Sequence, residues 1–190
     1  MKPVITATAF DVDLMSFDDG WQPLTADGVT QVWSILSATF GPRLSAPEKV
    51  RLAEQEPSFL HHGKILRIRG RRGLGQTTRY AMLFSDGTCL AIRYSARLIE
   101  ELASRDRLHL TPDTLADYIE FYWRFTEHGR RNRQIDGDRP LAVEAAANDA
   151  WSVTGIWHED GRAMPLNALV HGNGQISFAS DASAGSVTSQ

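Results

Sequence analysis

The stretch LTPDTLADYIEFYWRF, residues 110 to 125, limits the possible folds of this chain more than any other. Placed at roughly 100° per residue, Leu115, Tyr118, Ile119, Phe121, Tyr122, Trp123 and Phe125 cover an arc of about 200°. Only Asp117, Glu120, Arg124 and Glu127 are left for the remainder. A helix lying on a surface needs an apolar stripe only about half as wide. This one is therefore expected at the centre of the protein, with packing on more than one side. Thr111-Pro112-Asp113 supplies its start, with proline at the first helical position and an acid in the first turn, and Gly129 its stop.

The elements around that helix follow from periodicity. PVITATAF, near the N-terminus, has the β-branched content of a strand. After Thr25, the residues Val29, Val32, Trp33, Leu36 and Phe40 form one helical stripe that stops at Gly41-Pro42. Ser45-Ala46-Pro47-Glu48 has the capping-box pattern and predicts a second helix to about Glu56. KILRIR, TTRYAMLF and TCLAIRY read as three antiparallel strands, the last two joined by the turn Ser85-Asp86-Gly87. Ser95 caps a helix carrying Leu98, Ile99 and Leu102. LAVEAAA, WSVTGIWH, AMPLNALVH and QISFAS form a second meander, punctuated by Glu159-Asp160-Gly161 and Gly172-Asn173-Gly174.

The fold class that results is α+β, with two antiparallel β-meander units connected and packed by amphipathic helices. The expected organisation is an α+β unit over residues 1–128, a polar connection over 129–140 and a C-terminal meander over 141–180 packing on the first unit. Residues 181–190 form a small-residue tail, and the whole can make a single domain.

Charge is distributed unevenly. The net value of -3 combines -4 over residues 1 to 60, +7 over 61 to 97 and -6 over 98 to 190, so a basic island lies between acidic flanks. In the island, GRRGLGQT at residues 70 to 77 has the Gly-x4-Gly-x-Thr spacing of a phosphate-binding P-loop. Gln76 stands where that loop needs lysine, and Thr77-Thr78-Arg79-Tyr80 favours a strand where a helix must follow. Nucleotide hydrolysis fails both requirements. The segment reads instead as a hairpin tip, with Gly70, Gly73 and Gly75 supplying positive φ angles.

Arg67, Arg69, Arg71, Arg72, Arg79 and Arg93 then belong to one sheet, and where they align they form a guanidinium stripe suited to carboxylate or phosphate. Arg130 and Arg131 follow the central helix, where they favour its C-terminal dipole or extend the same surface. The expected partner is an acidic protein surface, with a nucleic-acid backbone as the alternative. The acidic total works against a dedicated duplex binder, because such affinity rests on phosphate neutralisation.

Motifs for catalysis are sparse. His158, Glu159 and Asp160 bring three metal-capable side chains to one turn, the basis of an alternative reading as a metal-dependent hydrolase or nuclease. No HExxH, CxxC or GxSxG spacing accompanies them, and His61-His62, if on a strand, would point to opposite faces. Cys89 reads as a small core residue and excludes an intrachain disulfide. Five tryptophans are many for this length; Trp33 and Trp123 fall on apolar helix stripes and Trp151 and Trp157 on one strand face, which assigns them to the core. A homodimer using this aromatic surplus is a third reading.

The stretch from Tyr80 to about Asp136, with its DGT turn and LTPDTLADYIEFYWRF, resembles uncharacterised bacterial proteins. The resemblance implies a bacterial origin and assigns no activity. Seventeen arginines against three lysines point the same way, as expected of GC-rich coding DNA. No leader-like N-terminus and no apolar run of membrane-spanning length is present, so a cytoplasmic protein without membrane insertion is expected. The reading is of a non-enzymatic binding protein that needs no cofactor.

Overall fold

The computed structural model describes residues 20–72, 75–93, 95, 97–126 and 133–179, with backbone only for 71, 72, 75 and 76. The chain is α+β, with two five-stranded antiparallel sheets. Sheet 1 runs β1 (Gln22–Pro23), β2 (Val50–Gln55), β3 (Gly63–Arg72), β4 (Gly75–Phe84) and β5 (Cys89–Ala91) in sequence order. In sheet 2, β10 (Ile176–Phe178), β9 (Arg162–His171) and β8 (Ala150–Glu159) lie side by side. Two short strands, β6 (Arg133–Ile135) and β7 (Ala142–Ala146), share the far edge of β8. Among the described residues, no helix is long and apolar enough to cross a membrane.

Helix α1 (Ala26–Phe40) begins where the Thr25 side chain accepts from Gly28 N at 3.2 Å, and ends at Gly41, whose φ of 56° suits glycine. Val29, Val32, Leu36 and Phe40 of its stripe pack with Leu52, Leu66, Ile68 and Ala81 on one face of sheet 1. Trp33 departs from expectation: it is half-buried and outside both packed clusters among the described residues.

The expected helix up to Glu56 is not formed. Pro47–Lys49 makes a single 3-10 turn without a side-chain cap, and the next six residues pair with β3 as β2. Val50 and Leu52 alternate onto the α1 face, and a long partner strand outweighs the local capping signal.

Helix α2 (Arg97–Ser104) starts where Arg97 N donates to Ser95 Oγ at 3.3 Å and buries Leu98, Ile99 and Leu102 as expected. Helix α3 (Leu115–Phe125) follows a 3-10 turn at Pro112–Thr114, where Thr111 and Thr114 cap each other. Apart from the exposed Asp117 and the half-buried Ala116 it is buried throughout; even Glu120 and Arg124 are 7% and 4% exposed. Toward sheet 1, Phe125 meets Tyr80 at 5.2 Å between ring centroids; toward sheet 2, Trp123 meets Trp157 at 5.2 Å. The layers are therefore α1, sheet 1, α3 with α2, and sheet 2, and the main core draws side chains from both sheets.

The segment 129–140, expected to be a polar connection, contains β6. Its Ile135 is buried, and Ile135 N donates to Glu120 Oε1 of α3 at 2.9 Å. The predicted N-terminal strand, the stop at Gly129 and the tail lie outside the described residues.

Candidate functional site

The β3–β4 register decides where the arginines point. Arg67 pairs with Tyr80, Ile68 with Arg79 and Arg69 with Thr78. Register partners share a face, so Arg67 and Arg69 lie on the α3 side of sheet 1 and Arg79 on the α1 side. The single stripe expected from the sequence is thus divided by the sheet itself. Arg71 and Arg72 end β3, paired with Gln76 and Gly75, and their side chains fall outside the description, as do Arg130 and Arg131 altogether.

On the α3 side, the Arg67 guanidinium lies 4.6 Å from the centroid of the Trp21 ring, itself tilted against Tyr80. Arg69 has Arg51 as its register partner on β2, so two like charges are cross-strand neighbours. Such a pair costs stability where no anion offsets it.

On the α1 side, a groove of about 940 Å³ opens between the C-terminal end of α1 and the tip half of β4. Arg43, Arg79 and Arg93 line it together with Thr39, Thr77 and Thr78, and among the described residues no Asp or Glu does. Arg43 and Arg93 are exposed; Arg79 is half-buried, 6.0 Å from the Phe40 ring centroid. Among the described residues, none of the three has a carboxylate within 4.0 Å. Basic groups here also compensate the dipole of α1, whose own last turn carries no cation. That dipole amounts to about -0.5 of a charge against three arginines, so the groove stays positive.

Arg43 is the residue that sequence reasoning missed. Its signal was its place just past the Gly41-Pro42 stop of a helix without a basic last turn.

The P-loop spacing has no P-loop geometry. Gly70 lies within β3 outside the left-handed region, and pairing continues to Arg72 and Gly75, leaving only residues 73 and 74 as the connection. The positive φ expected at Gly70 is absent because the strand runs through it. The space there is tight: an added Cβ would lie 3.3 Å from Val50 Cγ1 and 3.4 Å from Ser45 Oγ. Gly73 falls outside the described residues.

The alternative metal set does not converge. His158 pairs with Gln134 and Ala163 on the outer face of sheet 2, with its Nε2 3.4 Å from Asp136 Oδ2. Glu159 is on the inner face, where it meets Arg133 Nε at 3.3 Å, and Asp160 occupies the turn with φ of 51°. Successive strand residues point apart, and Glu159 is committed to a cation. Arg133 is held as well by the Trp157 ring, 4.7 Å below its guanidinium.

His61 and His62 are not on a strand: they form a turn in which His62 has φ of 49°, and His109 joins them across the Leu60–Leu108 bridge. Among the described residues, no three His, Cys, Asp or Glu side chains are placed to hold a metal ion. Cys89 is half-buried under α1, and desolvation pushes its thiol pKa up, which disfavours the reactive thiolate.

Comparison of the chain with protein-family models, with curated proteins and with solved structures finds no match.

Proposed function

We propose that the protein is a non-enzymatic binding protein that engages an acidic protein surface through the basic end of sheet 1. The observation that carries this reading is the groove lined by Arg43, Arg79 and Arg93 and, among the described residues, by no carboxylate. Unpaired guanidinium groups sharing one concave surface are arranged for bidentate contact with carboxylates. A nucleic-acid backbone fits less well, because a continuous run of phosphates calls for a continuous basic strip. Here the sheet separates Arg67 and Arg69 from Arg79 and its neighbours.

The test is fluorescence anisotropy with labelled polyglutamate and with a labelled single-stranded oligonucleotide. The native chain is expected to bind polyglutamate, more weakly as salt rises through screening. The triple variant Arg43→Glu, Arg79→Glu, Arg93→Glu should lose that binding while remaining folded, with its melting temperature lowered only modestly by acids at the C-terminal end of α1. A native chain that ignores polyglutamate, or a triple variant that still binds it, overturns the reading. A clear preference for the oligonucleotide transfers the site to nucleic acid.

A further inference from the structure

The groove is bordered by an open sheet edge. Strand β5 pairs with β4 only at Ala81, Met82 and Leu83, and Ile92 N extends the contact by one bond to Tyr80 O at 3.0 Å. The chain then turns off toward α3, where Ser95 N donates to Phe125 O at 3.0 Å. Among the described residues, β4 from Gly75 to Arg79 therefore has a strand neighbour on the β3 side alone.

Peptide groups alternate in direction along an antiparallel strand. Tyr80 O faces the β5 side, so the N–H and C=O of Thr78 face it too, and among the described residues they have no backbone partner there. An edge of this kind is a template for another strand.

We infer that the groove receives an extended peptide with acidic residues at alternate positions, added antiparallel to β4 in line with β5. The inference rests on the reading of the groove as a carboxylate site and specifies its occupant. Main-chain bonds to Thr78 supply the docking, as in strand addition generally, and side-chain periodicity supplies the selection. Thr78 and Tyr80 point to the α3 side, whereas Thr77 and Arg79 point to the α1 side.

Every second side chain of the guest strand therefore faces the groove, with Arg79 beside it and Arg43 and Arg93 lining the same space. Those positions are the acidic ones. The intervening residues, opposite Gln76 and Thr78, make the hydrogen bonds, since Ile92 already occupies the place opposite Tyr80. Arginines on an edge also deter unwanted pairing, but deterrence asks only for charge and needs no groove of threonines beside it.

The test uses a capped, labelled peptide of alternating Glu and Thr, and two N-methylated forms of it, one modified at the Thr amides and one at the Glu amides. Antiparallel addition requires the Thr amides, so their methylation is expected to weaken binding by about tenfold or more while methylation of the Glu amides spares it. Equal binding of both methylated forms, with loss in the triple Arg→Glu variant, overturns strand addition and leaves the carboxylate groove standing. Failure of the native chain to bind either this peptide or polyglutamate overturns both.

Discussion

The hydroxyl of Tyr118 donates a hydrogen bond to the carbonyl of Gly174, tying the central helix α3 to the turn between β9 and β10. Burial is the main reason the phenol is held far above its ordinary pKa, so it remains a donor at any pH the folded chain meets. Gly174 has φ of 82°, and an added Cβ would lie 2.6 Å from the Tyr118 oxygen and 2.5 Å from Leu108 Cδ1. Gly174→Ala should destabilise the protein by about 1–3 kcal/mol through overpacking, with a further penalty of about 1 kcal/mol or more for a left-handed alanine. Urea unfolding measures the sum, and an unchanged midpoint would contradict the packing described for this turn.

A second tie between α3 and sheet 2 is carried by Glu120, whose Oε1 accepts from Ile135 N at 2.9 Å in a site 7% exposed. Glu120→Ala leaves that buried amide without its acceptor and should cost about 1–3 kcal/mol, whereas Glu120→Gln keeps an acceptor oxygen and should cost less. Hydrogen exchange gives the local reading. The Ile135 amide is expected to lose protection in Glu120→Ala before the amides of β8 do.

These two ties show what could and could not be anticipated. The all-round apolar pattern of α3 announced a helix with protein on two sides, because no single interface can cover an arc of about 200°. Likewise the stripe after Thr25 and its stop at Gly41-Pro42 marked α1 correctly. Strand β6 escaped detection because three residues show no periodicity, and what holds it is remote in sequence: pairing with β8 and a bond from Ile135 N to Glu120, fifteen positions earlier. Strand β2 escaped because its local signal was that of a helix start, overridden by pairing with β3.

At the candidate site, parity within a strand was legible but parity between strands was not. Whether Arg79 sits with Arg69 or behind it depends on register, which a shift of one residue inverts. The groove itself joins residues from α1, β4 and the end of β5, a proximity that no local pattern encodes.

Acid stability offers a third test. Asp86 accepts from Thr88 N at 2.9 Å and pairs with Arg107, and these contacts, the backbone bond foremost, lower its pKa from 3.8 to about 2. A carboxyl lowered by folding stabilises the native state above its unfolded pKa, and that stability is lost as pH falls through the folded value. The contribution is therefore present above about pH 4 and disappears between there and about pH 2. In Asp86→Asn the melting temperature should fall less steeply across that window than in the native chain. Some slope will persist, because Asp136 is lowered as well, chiefly by the Asp138 amide.

Gly70→Ala separates the two accounts of GRRGLGQT. In a phosphate loop a side chain at the first glycine would obstruct the ligand and strain the turn. In β3 the residue is in extended backbone, where replacing glycine by alanine recovers roughly 0.5–1 kcal/mol of conformational entropy. Against that gain stand contacts of 3.3 Å to Val50 Cγ1 and 3.4 Å to Ser45 Oγ, which call for shifts of a few tenths of an ångström at the end of β2. The two effects are of similar size and opposite sign, so stability should change by less than about 1 kcal/mol. Polyglutamate binding should survive too, since Gly70 does not line the groove. A loss of several kcal/mol would show that the strand does not tolerate a side chain at position 70, and that its close approach to Val50 and Ser45 is a firm requirement of sheet 1.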